Sequence, residues 1–242
     1  MAATEGRRVD DARLLDAWER ARSLARPWRE LALLAGTSGE PADRLARLPI
    51  GERDRRILAL RELVFGARLD SETTCPACGA RLEIELDAST LRVPSRDEAD
   101  SGARVLAEDW DVSFRLPDSG DLAGCGGAAS VLLERCVVEA TRDGVAVAPR
   151  SLPPAVRELV VSRIAELDPQ ADVTIDLDCS ECAHRWSAAF DPSAYLLSEL
   201  EGWAERLLEE VDRLARAYGW SEAEILALGP YRRRRYLELA AR

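Results

Sequence analysis

Lysine and asparagine are absent from this 242-residue chain, and all 33 of its basic residues are arginine. So complete a bias fits a GC-rich coding sequence, and arginine richness by itself carries no functional information. Histidine occurs once, at His184, which removes the common His-rich catalytic and metal constellations. No Gly-x-Gly-x-x-Gly follows a strand pattern, and there is no phosphate loop, Gly-x-Ser-x-Gly elbow or His-Glu-x-x-His. A non-enzymatic protein without a small-molecule substrate is the expectation. No apolar run approaches the roughly 18 residues needed to cross a bilayer. The start Met1-Ala2-Ala3-Thr4-Glu5-Gly6-Arg7-Arg8 also lacks the apolar core of a signal peptide, so the expected location is cytoplasmic, with no membrane partner. Positive charge is in deficit, the formal net charge being −11, which argues against a broad nucleic-acid surface. Hydrophobic residues at 47% and charged residues at 32% describe a globular chain with ample material for a core.

What the chain does have is two Cys-x-x-Cys pairs, Cys75-Pro76-Ala77-Cys78 and Cys179-Ser180-Glu181-Cys182, with one hundred residues between them. Each pair sits in a turn between short alternating segments. Arg81-Leu82-Glu83-Ile84-Glu85-Leu86-Asp87 leads out of the first; Val173-Thr174-Ile175-Asp176-Leu177-Asp178 leads into the second and His184-Arg185-Trp186-Ser187-Ala188-Ala189-Phe190 leads out. A two-residue gap lets a tight turn aim both thiolates at one metal, and four thiolates complete a tetrahedron around zinc with S–Zn near ~2.3 Å. Each pair supplies half a site, so the expectation is one structural zinc per chain held by Cys75, Cys78, Cys179 and Cys182, tying together distant parts of the sequence. His184 could replace one thiolate, although four paired cysteines favour its place on the outgoing strand. A closed four-cysteine shell leaves no position for substrate or water.

The remainder predicts an α+β protein, mainly helical, whose short antiparallel strands form a split zinc-ribbon-like site of four cysteines. Residues 1–66 read as an N-terminal helical region. Leu14, Leu15, Trp18 and Leu24 form one stripe, Pro27 restarts the helix, and a further helix runs from Ile50 to Gly66. Residues 67–192 read as the ribbon body with a helical insertion. Ser95–Gly102 is a polar loop, Trp110–Leu116 a strand, Ala128 to Ala140 a buried helix, Val145–Val147 a short strand, and Pro153-Pro154 opens a helix to Leu167. Residues 193–242 read as helical again, with Gly219 as a C-cap and Ser221-Glu222-Ala223-Glu224 as a capping box. Cys136 fits a buried small hydrophobe and Cys125 a loop thiol. Arg232-Arg233-Arg234-Arg235 reads as a solvated or interface face of the last helix. The six tryptophans are expected mostly in cores, any exposed one being a candidate interface anchor.

Three motifs taken together carry a resemblance: Leu116-Pro117-Asp118-Ser119-Gly120-Asp121-Leu122 after a strand, the Cys-Pro-x-Cys-Gly knuckle, and the ending Tyr218-Gly219-Trp220-Ser221-Glu222-Ala223-Glu224-Ile225-Leu226-Ala227-Leu228 before Arg232 to Leu237. Over the chain from about Leu48 onward, this pattern resembles the baseplate proteins related to the T-even phage hub assembly factors, encoded with contractile phage tails and phage-derived injection systems. The ending is the most specific of the three. The resemblance implies a non-enzymatic role in promoting baseplate or hub assembly, or in forming part of it, with baseplate or tail-hub subunits as partners and possible incorporation in a tail-like particle. Two alternatives stay open at this point. A zinc-ribbon regulator contacting nucleic acid or polymerase would show salt-dependent DNA binding. A thiol-disulfide oxidoreductase would reduce a small disulfide when metal-free, but it needs one Cys-x-x-Cys at a strand-to-helix junction, whereas an alternating strand follows Gly79-Ala80 here.

Overall fold

The computed structural model describes residues 9–93 and 103–241; the predicted loop Ser95–Gly102 lies outside them. The chain divides into two compact units, one formed by the chain up to Glu40 together with the chain from Ser193, the other by Pro41–Pro192.

In the first unit, α1 (Asp11–Arg22) starts at Asp10, whose carboxylate accepts from the Ala12 amide. Its buried stripe is Leu14, Leu15, Ala17, Trp18 and Ala21. Helix α2 (Trp28–Ser38) runs beside it, and Gly36 permits the close approach: a Cβ there would stand 2.6 Å from that of Ala17. The long helix α9 (Pro192–Tyr218) buries Leu196, Leu200, Ala204, Leu207, Val211 and Leu214 at helical spacing, and Trp18 Nε1 donates to Glu201 Oε2 at 3.1 Å. After the Ser221–Glu224 capping box come α10 (Glu222–Leu226) and α11 (Pro230–Ala240). The arginine run at the start of α11 is not uniform. Arg233 is buried, with its guanidinium 2.7 Å from Asp11 and 3.2 Å from Glu210, while Arg232, Arg234 and Arg235 are exposed. Of the tryptophans, Trp18 is buried and Trp28 is 45% exposed.

The second unit is mixed helix and strand. Helices α3 (Ala42–Ala46) and α4 (Ile50–Phe65) lead into the hairpin β1 (Arg68–Thr74) and β2 (Arg81–Asp87), followed by the single turn α5 (Ala88–Leu91). A four-stranded antiparallel sheet then forms in the order β3 (Arg104–Ala107), β4 (Trp110–Phe114), β5 (Val137–Arg142) and β6 (Val145–Ala146). Between β4 and β5 lie α6 (Ser119–Gly124) and α7 (Ala129–Cys136). Helix α8 (Pro154–Leu167) covers one face of the sheet, placing Val156 and Val160 on a core of Val112, Phe114, Val137 and Ala140. The chain ends this unit in a second hairpin, β7 (Val173–Asp178) and β8 (Arg185–Phe190).

The helix expected over Ala128 to Ala140 therefore stops at Cys136, and Val137 onward is a strand. Its apolar residues fit either period, and the β-branched Val137-Val138 step together with pairing to β4, Val112 opposite Ala140, decides for the sheet. In α6, Asp118 and Asp121 form a reciprocal capping box. Asp121 is buried and accepts from Arg115 Nη1 at 2.5 Å and from Arg135 Nε at 3.1 Å. Burial alone would raise its pKa, but the Arg115 bond and the surrounding positive charge hold it below the ordinary carboxylate value.

One buried brace positions the two hairpins. Asp168, just after α8, accepts the Gly51 amide at 2.9 Å through Oδ2, at the first turn of α4. Burial raises the Asp168 pKa, and the Gly51 amide only partly offsets that. Two residues on, the buried Gln170 accepts from the Val93 amide at 2.6 Å and donates to the Leu91 carbonyl at 3.1 Å. The lead into β1, the exit from β2 and the lead into β7 are thus fastened to one segment, Asp168–Ala171, and the two hairpins share a common base.

Candidate metal centre

The two knuckles are built alike. Each hairpin is closed by six residues, 75–80 and 179–184, between strands whose last pairs are Thr74 with Arg81 and Asp178 with Arg185. In the first, the Cys75 amide donates to the Ala80 carbonyl and the Gly79 amide to the Cys75 carbonyl, both at 2.9 Å. In the second, the Cys179 amide donates to the His184 carbonyl and the Ala183 amide to the Cys179 carbonyl, again both at 2.9 Å. The residue after the second cysteine takes a left-handed conformation in each, Gly79 at φ 75° and Ala183 at φ 57°. Arg81 and Arg185 occupy the matching positions that follow, and each pairs within its own hairpin, with Glu72 and Asp178.

The repetition predicts an effect of substitution. A Cβ in the left-handed region costs roughly 1–2 kcal/mol, a strain that Gly79 avoids and Ala183 bears. Ala183→Gly is expected to stabilise the protein by about 0.5–1 kcal/mol after glycine's extra unfolded-state entropy is subtracted. A raised thermal midpoint would show it; an unchanged or lowered midpoint would mean that Ala183 is not strained.

The two turns bring all four predicted sulfurs together. Cys75, Cys78, Cys179 and Cys182 have their Sγ atoms within 4.8 Å of one another. Cys75 meets Cys182 at 3.7 Å and Cys78 meets Cys179 at 3.7 Å, each contact crossing from one hairpin to the other. A tetrahedron with metal–sulfur bonds of ~2.3 Å has edges of about 3.8 Å, so the donor set could hold a metal ion of that size. Cys75 and Cys179 are buried, whereas Cys78 and Cys182 are exposed. His184 does not join the cluster; its ring stacks on Trp186 with centroids 5.9 Å apart. Cys125, which donates to the Leu122 carbonyl, and Cys136, whose thiol burial pushes up to about 11, also lie outside it.

Thiol acidity within the cluster is uneven. Burial pushes Cys75 up, but the amides of Cys78 and Ala77 and hydrogen bonds from neighbouring thiols outweigh it and leave Cys75 at about 6. For Cys182 the His184 amide favours the thiolate, yet the sulfurs of Cys78, Cys179 and Cys75 push it up to about 12. Cys78 moves up as well: the Ala80 amide and Cys182 favour its thiolate, and Cys75 and Cys179 outweigh them. A divalent cation at the centre of the cluster favours the thiolate form of its ligands. Metal binding near pH 7 is therefore expected to release protons from the thiols. Calorimetric titration in buffers of different ionisation enthalpy counts them. Because low pH protonates the ligands, affinity must fall as pH falls; an affinity flat between pH 6 and 8 would contradict four-thiolate ligation.

The braces at Gly51, Asp168 and Gln170 had no signal in the sequence, since each contact joins residues from 77 to 117 positions apart. A glycine beside Ile50 in a helical pattern could have been flagged only as an unexplained small residue.

The fold and site define a two-unit protein of mixed helix and strand, with a four-cysteine cluster split across two hairpins. Residues 33–194 match the family described as T4 bacteriophage base plate protein, and the chain belongs to that family. The matched span begins in α2, covers the whole of the second unit and stops at the start of α9. It thus begins earlier than Leu48 and leaves out the Tyr218–Leu228 ending that carries much of the resemblance in the sequence. Neither the curated proteins nor the solved structures contain a match. Among the described residues no helix is long and apolar enough to cross a membrane.

Proposed function

We infer that the protein is a non-enzymatic baseplate or hub assembly factor, or a baseplate component, of a contractile phage tail or phage-like injection system. It acts through contacts with other baseplate subunits and is stapled by one structural zinc on Cys75, Cys78, Cys179 and Cys182. Membership of the baseplate family supports the setting. The observation that carries the staple is the four-sulfur cluster itself, whose 3.7 Å cross-hairpin contacts fit the edge of a zinc–thiolate tetrahedron. Zinc is preferred to iron because isolated four-thiolate iron is the rarer occupant. When bound, the ion supplies a closed, non-redox cross-link. The chain's own residues orient it through two knuckles whose amides and left-handed turns fix the sulfur positions. The helices of the first unit, from Leu200 to Leu239, are the contact surface assigned to a partner subunit.

Native mass spectrometry of protein purified without added metal tests the staple, with one zinc per chain expected and a metal-free monomer against it. Co-expression with the neighbouring baseplate subunits, followed by purification of the complex, tests the setting. Failure of every such subunit to co-purify would remove the assembly role while leaving the metal site untouched.

A further inference from the structure

Each 3.7 Å sulfur contact joins an exposed cysteine of one hairpin to a buried cysteine of the other: Cys78 to Cys179, and Cys182 to Cys75. The arrangement separates two chemical roles. An oxidant arriving from solvent meets the exposed residues Cys78 and Cys182 before the buried Cys179 and Cys75, and the nucleophile 3.7 Å away is the buried one across the hairpin boundary. We propose that Cys78 and Cys182 are sites of peroxide oxidation, and that each is resolved by the buried thiolate of the opposite hairpin. Oxidation then replaces the metal staple with two cross-hairpin disulfides, Cys78–Cys179 and Cys75–Cys182. This deepens the zinc reading, on which it rests for the starting state.

The step balances. The thiolate of Cys78 attacks one oxygen of hydrogen peroxide, breaking the O–O bond to give a sulfenic acid and hydroxide. The Cys179 thiolate then attacks that sulfur, forming the S–S bond and expelling the second hydroxide. Two electrons leave the cysteine pair and reduce one peroxide. The Cys182–Cys75 pair consumes a second peroxide in the same way, after which the four sulfurs, all in disulfides, would no longer hold a zinc ion. Because the new bonds run between the hairpins, their tie persists when the medium changes from reducing to oxidising. Bonds closed within each Cys-x-x-Cys would instead let the hairpins part.

Trypsin makes the two outcomes separable in the unmodified protein. Cleavage after arginine places Cys75 and Cys78 together in Leu69–Arg81, and Cys179 and Cys182 together in Ile164–Arg185. Zinc-loaded protein is treated with hydrogen peroxide in the presence of a chromogenic zinc chelator, then alkylated, digested without reduction and analysed by mass spectrometry. The expected result is loss of both separate peptides, their appearance as one covalently joined pair, and zinc release in step with it. A brief peroxide pulse with dimedone should label Cys78 and Cys182. Two separate peptides, each carrying its own internal disulfide, would overturn the proposal, as would dimedone on Cys75 and Cys179. Zinc content is measured on the untreated protein first. Zinc present with internal disulfides sinks the oxidation proposal alone, whereas no zinc with a joined pair sinks the metal reading and leaves the cross-hairpin pairing standing.

Discussion

Cys179→Ser is expected to lower bound zinc from one per chain to near zero and to open the second unit to protease. Cys179 is only 3% exposed and sits 3.7 Å from Cys78, so the serine hydroxyl that replaces it lies in the cluster without the acidity to become a strong anionic ligand. A four-thiolate zinc is worth roughly 10–16 kcal/mol of apparent binding free energy at neutral pH, and three thiolates retain only part of it. In the metal-free variant the sulfur tie between the two knuckles is gone, while the contacts of Asp168 and Gln170 at their base remain. Limited proteolysis should therefore cut between the hairpins before it cuts the wild type. Cys125→Ser is the matched control: its sulfur is outside the cluster, and zinc content should not change. Full zinc occupancy in Cys179→Ser would remove that residue from the metal shell.

Gly51→Ala should be the most damaging small substitution among the described glycines of the second unit. A Cβ at Gly51 would stand 1.9 Å from Asp168 Oδ1, 2.7 Å from its carboxyl carbon and 2.9 Å from the Ala171 amide nitrogen. The last of these is backbone and cannot rotate away, so α4 or the Asp168–Ala171 segment must shift, and the 2.9 Å bond from Gly51 to Asp168 is lost or lengthened. Overpacking of this kind costs about 1–3 kcal/mol, read as a lowering of the thermal midpoint by roughly 2–4 °C per kcal/mol for a chain of this size. Gly229→Ala provides the comparison, because no atom lies within 4 Å of a Cβ built there, and its effect should stay within about 0.5 kcal/mol. Equal midpoints for the two variants would show that the brace yields without cost.

How much of this was legible in the sequence depended on the range of the interactions involved. The knuckles were readable because their signals are local: a Cys-x-x-Cys turn between alternating strands, twice over, specifies each half, and only zinc stoichiometry can unite the halves on paper. The capping box at Ser221 and the stripe from Leu196 to Leu214 were local as well, and both are present. Strand β5 was not legible, because Leu132 to Ala140 offers apolar residues at both helical and alternating spacing, and pairing with β4 made the choice. Strand β3 adjoins an acidic, aperiodic stretch and has four residues, too few for alternation to speak. The inward turn of Arg233 was hidden for another reason: four successive arginines read as one surface feature, and only the carboxylates of Asp11 and Glu210 single out the second of them.

The interleaving of the two units bears on how the protein comes into being. Pro41–Pro192 is continuous in sequence and can collapse as soon as it clears the ribosome. The helical unit has no such option: Trp18 awaits Glu201, and Asp11 awaits Arg233. At synthesis rates of roughly 5–20 residues per second, the stretch of about 170 residues between α1 and α9 keeps the apolar stripe of α1 without α9 for roughly 8–34 s. For that interval a nascent chain presents Leu14, Leu15 and Trp18 to whatever surrounds it, and the family-matched portion is finished before the unit that frames it has closed.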